Sequence, residues 1–431
     1  MIKILGTHDE QTVAQLENCV AAEDGARGVL CADGHLGYSM PIGGVVAYKD
    51  HISPSGVGYD IACGNMAIRT PLKIADMEAE LPRIADEIAS RISFGVGRNN
   101  NEPVDDDVLD RIRKSPIPAQ RNLIQLAANQ LGTVGSGNHY VDVLEDENGF
   151  AWVAVHFGSR GFGHKTASMF MNAAQGRPMT DKPHEGEMMS PPLLINVNTP
   201  LGQDYIEAME IAGEYAYAGR RIVAWKVAEI LGGAHAVIGR GPEDIVHNHH
   251  NFAWREQHFG EDLWVVRKGA TPLMAWQRGF IGGSMGDISV VLQGKDTPLS
   301  RNTLFSAPHG AGRVLSRNAA IKGKHIWMCS QSCGYELKFG MVPPKNLLCP
   351  VCAAPLEKRQ VTPPINFEEV KRRQQERGII LRGAGPDESP EVYRPLGSVL
   401  SEHRGTYDLI HEFRPRIVVM AGKEVQDPYK D

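Results

Sequence analysis

Up to residue 70, apolar residues come in short runs broken by glycine and proline, as in GVLCADGHLGYSMPIGGVVAY (28–48) and GVGYDIACGNMAIRT (56–70). β-Branched runs punctuated in this way predict strands joined by tight loops. From residue 75 the period changes. MEAELPRIADEIASRI, DVLDRIRK and AQRNLIQLAANQL space their apolar side chains three and four apart, so 75–131 reads mainly as helix. YVDVL and FAWVAVHFG, separated by EDENG, predict a hairpin. The longest helical pattern covers 202–231, and strand-like pieces such as LWVVRKG and ISVVLQG return between 244 and 307. A helix over NFEEVKRRQQER and a strand over RIVVM close the chain. Helices and strands mix without a βαβ rhythm or an internal repeat. That favours an α+β fold with one large mixed-sheet domain over a doubly wound one.

Composition narrows the class. The 431 residues are 42% hydrophobic and 22% charged, which excludes a largely disordered chain. No apolar run approaches the ~18 residues of a membrane span, and MIKILGTHDEQ lacks the charged and apolar regions of a signal peptide. The expectation is a cytoplasmic protein with no membrane partner. Forty-five basic against 51 acidic residues give a net charge of −6. A nonspecific nucleic-acid coat is basic, so any role on RNA or DNA must rest on a local patch. Seven cysteines, an odd number in a reducing compartment, argue against a disulfide framework.

Many of the sixteen histidines sit in glycine-rich segments. Five segments share one character, a metal ligand or nucleophile among small residues. They are GYDIACG with Asp60 and Cys63, GSGNH with Asn138 and His139, HFGSRGFGH with His156, Arg160 and His164, VHNHHN with His247, His249, His250 and Asn251, and SAPHGAGR with His309 and Arg313. Glycine lets a loop close tightly on a phosphate or a metal. One carboxylate, one thiol and several imidazoles suit Mn, Fe, Co or Zn better than Mg or Ca, which prefer oxygen shells. Singly, each segment has a bland alternative. A histidine beside glycine is often structural, a free cysteine is often a small buried hydrophobe, and the three histidines of HNHHN cannot share one face of a strand. GxxxxGK[ST] and HExxH are absent.

Taken in order, the motifs are specific. Asp60-x-x-Cys63-Gly64, Gly137-Asn138-His139, His156-x-Gly158-Ser159-Arg160-Gly161, His250-Asn251, Arg267-Lys268-Gly269-Ala270, Gly283-Ser284-Met285-Gly286 and His309-Gly310-Ala311-Gly312-Arg313 resemble the RtcB family of RNA ligases. CADGHLGYSMPIGG, with Asp33 and His35, resembles that family's N-terminal signature. The likeness covers most of 25–320 and, more thinly, 380–420.

The resemblance implies a GTP- and Mn-dependent ligase that joins an RNA 3′-phosphate or 2′,3′-cyclic phosphate to a 5′-hydroxyl. Such an enzyme opens the cyclic phosphate, carries GMP on a histidine, passes it to the 3′-phosphate and lets the 5′-hydroxyl displace it. The chemistry is coherent, because a 3′-phosphate has no good leaving group until guanylylation supplies one, and a neutral imidazole is a competent carrier at pH 7. Two Mn ions would neutralise the phosphates and polarise the P–O bonds. By motif, His309 is the expected guanylylated residue. Asp60, Cys63, His139, His156 and His250 are the expected metal ligands, with Cys63 bridging both ions. Asn138, Asn251, Ser284, Arg160, Gly310 and Arg313 are expected phosphate or nucleotide contacts. Ser289 and Asp142 resemble guanine or ribose contacts, with aspartate where relatives often carry glutamate. Tyr393 resembles a tyrosine that stacks on guanine. The family's C-terminal lysine aligns with Ala421, and Lys423, after the pliant Gly422, is the expected substitute. His164, His247 and His249 receive no role. RNA ends are the expected partner, with an activating protein as in some family members. Two further readings remain open on the residues themselves, a related metal-dependent nucleotidyltransferase or RNA end-healing enzyme, and a noncatalytic RNA-binding protein.

Residues 325–358 differ from the rest. Cys329-x3-Cys333 and Cys349-x2-Cys352 have the spacing of two zinc knuckles, and four thiolates suit a closed structural Zn²⁺ site. The alternative is four free thiols in a loop. The expected organisation is an RtcB-like core over 1–324 and 359–431, interrupted by a small zinc-ribbon-like insertion at 325–358. Cys19 and Cys31 read as ordinary thiols.

Overall fold

The computed structural model describes residues 1–182, 187–232, 244–331, 333–337 and 343–422. Two sheets organise it, and the fold is mixed α/β and rich in sheet. The larger runs, in spatial order, through Arg278–Ile281, Ser289–Gly294, Tyr407–Gly422, Tyr140–Asp146, Phe150–Phe157, Gly64–Lys73 and Ile245–His249. Ile380–Ala384 adds to it in parallel, beside the second half of the long strand Tyr407–Gly422. The smaller sheet holds Ile2–Ile4, Arg27–His35, Ile42–Tyr48, Glu261–Lys268 and Asn251–His258. The chain crosses from one sheet to the other at His250, between the strands Ile245–His249 and Asn251–His258.

Strand alternation builds two layers of core. Val141, Val143, Val153 and Val155 point to the side covered by the helices Leu81–Arg91 and Pro200–Gly232. Leu144, Trp152 and Ala154, one step out of phase, point to the other side, onto Phe280, Val291 and Phe413. The predicted hairpin is present, with Tyr140 opposite His156 and Asp142 opposite Ala154. The predicted long helix is also present as Pro200–Gly232. Proline at its first turn and Thr199 Oγ1, which accepts from the Gly202 N–H at 3.2 Å, start it. Its first half packs on the helix Arg160–Ala174 through Phe170 on Tyr205 and Phe162 on Tyr215. Val223 and Val227, in its second half, pack under the larger sheet.

Two sequence expectations change. GVGYDIACG is not strand. Pro54–Val57 forms a helical turn, and positive φ at Gly58 (87°) and Ala62 (60°) keeps the next residues looped until Gly64. The helical stretch 75–131 divides into the short helices Ile74–Met77, Leu81–Arg91, Asp107–Arg113, Pro118–Arg121 and Ile124–Gln130, because residues around 99–103 carry no apolar period. The helix Arg160–Ala174, hidden among motif glycines, has no strong sequence signal.

After the helix Arg317–Lys322, the strand Lys324–Cys329 pairs with Leu356–Thr362 in a two-stranded sheet. The buried cluster of this lobe is Cys329, Cys349, Ala354 and Leu356, with Trp327 and Tyr335 packed against it. Among the described residues, no helix is long and apolar enough to cross a membrane.

Candidate active site and metal centre

A cleft of about 1150 Å³ opens where the two sheets meet. Four of the five predicted metal ligands (Asp60, Cys63, His156 and His250) line it, together with His309. His139 stands directly behind, with Nε2 3.1 Å from Asp60 Oδ2 and 3.7 Å from Cys63 Sγ. His156 Nε2 is 3.6 Å from the same sulfur. The donor atoms of Cys63, His139 and His156 all lie within 4.8 Å of one another.

Local sequence explains the convergence. Cys63 ends the left-handed loop, and its carbonyl accepts the N–H of His250 at 2.8 Å, drawing two distant segments together. In HNHHN, His247 and His249 point to the helix side of the sheet and rest on Tyr217. His250 falls just beyond the strand and turns into the cleft, stacked on His156 and edge-on to His309. Gly158 is needed where it is, since a Cβ there would come within 2.1 Å of Asp60 Oδ1. Gly135 likewise leaves room for the Arg160 guanidinium, which a Cβ would meet at 1.7 Å. Arg160 Nη1 lies 3.2 Å from His139 Nδ1.

The donor chemistry fits divalent metal. His156 Nδ1 donates to Asn65 Oδ1 at 2.8 Å, so its Nε2 keeps its lone pair for the centre, while His139 is oriented by the Val134 carbonyl, 2.9 Å from its Nδ1, with Nε2 turned to Asp60 and Cys63. Burial pushes His156 and His250 well below the ordinary imidazole range and keeps both neutral. Among the described residues, His250 Nδ1 is buried without a hydrogen-bond partner, an orphan that a metal would satisfy. Burial acts to raise the Asp60 carboxyl, but the His139 hydrogen bond and nearby positive charge win and hold it at about 2. Burial, then the Asp60 charge, pushes the Cys63 thiol up, so that thiol needs a metal to displace its proton.

His309 is held differently. Asp33, fully buried, accepts from the His309 N–H at 2.9 Å, from His309 Nδ1 at 2.7 Å and from the Gly310 N–H at 3.3 Å, all on Oδ2. This fixes the ring and the tautomer and leaves Nε2 without a partner among the described residues. Burial alone would raise Asp33, but the His309 charge and these hydrogen bonds bring it below its usual value. The strand Ser306–Pro308, which delivers His309, is anchored from below. Arg267 donates to Ser306 Oγ at 2.9 Å and to the Leu304 carbonyl at 2.8 Å, and it grips both oxygens of Glu256 at 2.6 and 3.0 Å.

The expected nucleotide contacts divide. Asn138, Asp142, Asn251, Ser284, Gly310, Arg313 and Tyr393 line the cleft. Asn251 bridges two loops, donating to the Asp60 carbonyl at 3.3 Å and accepting from the Gly269 N–H at 2.7 Å. Burial pushes the Asp142 carboxyl well up. Ser289 lies behind the lining, where its Oγ accepts the Gly283 N–H at 3.1 Å and shapes the turn that carries Ser284. Arg313 donates to the Tyr393 hydroxyl at 2.9 Å and to the Asp387 carbonyl at 2.7 Å, and its guanidinium sits 5.1 Å from the Tyr393 ring centre. Glu388, which bonds Tyr393, Arg313 and Arg317, completes this corner. His164 stacks on Tyr59. Lys423 lies outside the described residues.

In the lobe, the sulfurs of Cys329, Cys333, Cys349 and Cys352 converge, with Cys329–Cys352 at 3.3 Å and Cys333–Cys349 at 3.5 Å. A tetrahedral tetrathiolate with Zn–S of about 2.3 Å needs sulfurs roughly 3.8 Å apart, a few tenths wider. In both knuckles the N–H two residues on donates to a cysteine sulfur at 3.4 Å, Gln331 to Cys329 and Val351 to Cys349. Such donors stabilise thiolate charge.

Three residues escaped sequence reasoning in their roles. Asp33 was visible only as part of CADGH, although an acid beside a glycine-bound histidine motif is a signal. Asn65 directly follows Cys63-Gly64. Arg220, which reaches from the long helix to the Ala62 and Phe157 carbonyls beside the cluster, gave no signal at all.

Comparison with known proteins agrees with this geometry. The family described as "tRNA-splicing ligase RtcB" matches residues 12–119 and 111–328. The RNA-splicing ligase RtcB of Escherichia coli K12 is 32% identical over 316 residues, covering 67% of this chain and 74% of the relative. The tRNA-splicing ligase RtcB of Thermococcus kodakarensis is 33% identical over 368 residues, covering 68% and 74%.

Proposed function

The chain belongs to the RtcB family, and from that premise we propose that it is an RNA ligase, GTP- and Mn²⁺-dependent, that seals a 3′-phosphate or 2′,3′-cyclic phosphate end to a 5′-hydroxyl end. The observation that carries this reading is the meeting, in one cleft, of a carboxylate-oriented histidine and a thiol–imidazole donor set. In this scheme Asp33 keeps the proton on His309 Nδ1, so Nε2 is the lone pair that attacks the α-phosphorus of GTP, and pyrophosphate leaves. The resulting guanylyl group passes to an oxygen of the RNA 3′-phosphate and frees His309. The 5′-hydroxyl then attacks that phosphorus, and GMP departs as the phosphodiester forms. Asp60, Cys63, His139, His156 and His250 are the residues that would hold Mn²⁺, which when bound neutralises phosphate charge and polarises P–O bonds. The Tyr393 ring, braced by Arg313 and Glu388, offers a face for the purine. A Zn²⁺ on Cys329, Cys333, Cys349 and Cys352 completes the cofactor set.

Incubation with α-labelled GTP and Mn²⁺ tests the scheme. An acid-labile GMP adduct should form on the wild type and disappear in His309→Ala, whose unfolding midpoint should be little changed. Labelled RNA with 3′-phosphate and 5′-hydroxyl ends should then be sealed. No adduct on the wild type would overturn the guanylyl-histidine scheme. An adduct without sealing of any such RNA would instead point to a related nucleotidyltransferase.

A further inference from the structure

We infer that Arg220 is the positioning residue of the metal centre, one buried guanidinium that ties together three of the four segments carrying its ligands. The inference rests on the metal-centre reading above. Arg220 projects from the middle of the helix Pro200–Gly232 and is fully buried. Its Nη1 donates to the Ala62 carbonyl at 2.8 Å and to the Phe157 carbonyl at 2.6 Å. Nε donates to His247 Nε2 at 3.0 Å, and Nη2 lies 2.8 Å from His249 Nδ1.

Each acceptor sits one to three positions from a ligand. Ala62 precedes Cys63 and lies two residues after Asp60. Phe157 follows His156, and His249 precedes His250. Ala62 holds a left-handed φ of 60° without being glycine, so the bend that presents Cys63 must be held from outside. The two carbonyls lie where the neighbouring strands end, Phe157 opposite Gly64 and Ala62 in the loop just before it, and a planar fork can hold both at once. His247 and His249, which have no ligand role, become intelligible as acceptors wedged between Arg220 and the Tyr217 ring. No carboxylate pairs with Arg220 among the described residues, so its fixed charge is not part of an ordinary structural ion pair. Burying a guanidinium this way is costly unless the geometry it imposes is used.

Metal binding, rather than turnover, provides the test. Metal-free protein is titrated with Co²⁺, and the thiolate-to-cobalt absorption of Cys63 is read as the difference from Cys63→Ala, which removes any contribution of the four-cysteine lobe. Arg220→Met and Arg220→Lys are compared with the wild type, alongside urea unfolding of each metal-free protein. Folded Arg220→Met should bind Co²⁺ about 10–100-fold more weakly, the range for losing a group that orients metal ligands. Arg220→Lys, which can satisfy one carbonyl but not the whole set, should fall between. Should the Met variant fail to fold, the Lys variant alone still carries the comparison. A lower unfolding midpoint with wild-type Co²⁺ affinity and an unchanged Cys63 band would mean a merely structural role and would overturn the inference. Absence of that band in the wild type itself would overturn the metal-centre reading instead, so the two failures are distinguishable.

Discussion

At the scale of single residues, the active site depends on which nitrogen of each imidazole is occupied. His156 gives its Nδ1 proton to Asn65 and keeps Nε2 for the centre, and His139 is oriented by the Val134 carbonyl. His309 gives its own to Asp33. Asp33→Asn should therefore leave the fold intact but let the amide N–H face Nδ1, favouring the wrong tautomer. GMP-adduct formation should slow by about 10²–10⁴-fold, the scale of a lost orienting carboxylate in acid–base and triad chemistry, measured as the single-turnover rate at saturating GTP. A rate within a factor of a few of wild type would show that the ring is fixed by its backbone alone. Cys63→Ala should lose Mn²⁺ by at least about 10–100-fold in affinity, and near-normal occupancy by elemental analysis would contradict its ligand role. The residue types of this site were legible in the sequence, because thiol, carboxylate and imidazole among glycines are unusual together. The Asp33–His309 pairing was not, since it joins positions 276 apart and only the fold brings them into contact.

At the scale of elements, local periodicity fixed what was self-contained. The hairpin Tyr140–Phe157 and the long helix were readable because their patterns repeat over many residues. Where 56–70 leaves loop for strand is not marked by periodicity, because positive φ at Gly58 and Ala62, rather than alternation, sets the backbone before Gly64. The helix Arg160–Ala174 was missed because glycine masks helical propensity. The cysteine lobe was legible from spacing alone, and its physics is distinct. The buried cluster is small, Cys329, Cys349, Ala354 and Leu356, so the proposed Zn²⁺ would supply much of the folding energy of this lobe. The purified protein should contain one Zn²⁺ that resists exchange with Mn²⁺. Cys349→Ser should make residues 324–362 protease-sensitive and impair RNA sealing more than GMP-adduct formation. Absence of zinc, with all four thiols reacting freely, would refute this. Beneath the strand Ser306–Pro308, Glu256 is the buried partner that neutralises Arg267. Glu256→Ala should destabilise the protein by about 3–5 kcal/mol, because it strands a charge in the core, and denaturant unfolding would register it.

At the scale of the whole molecule, the charge balance sets a condition that the fold must meet. A chain of net charge −6 repels polyanions on average, so RNA must be drawn in by a local field at the cleft. Arg313 and Arg317 are committed to the Asp387–Glu388 corner. Lys268 and Lys324 are the lysines that line the cleft. Lys268 donates to the Tyr38 carbonyl at 2.6 Å and so serves the wall as well. Lys324 lines the cleft at the start of the strand from which the cysteine lobe grows. RNA that leaves the cleft along this lobe is expected to place a phosphate at Lys324. RNA binding to His309→Ala, which holds substrate without turning it over, should weaken linearly in log–log form as salt rises. Lys324→Ala should lower that slope by about 0.7, the value for one phosphate contact on a single strand, and should weaken binding by a similar factor for RNAs of different sequence. GMP-adduct formation, which involves no RNA, should be unchanged in Lys324→Ala. An unaltered salt slope would mean that RNA reaches His309 by another side of the cleft, away from the cysteine lobe.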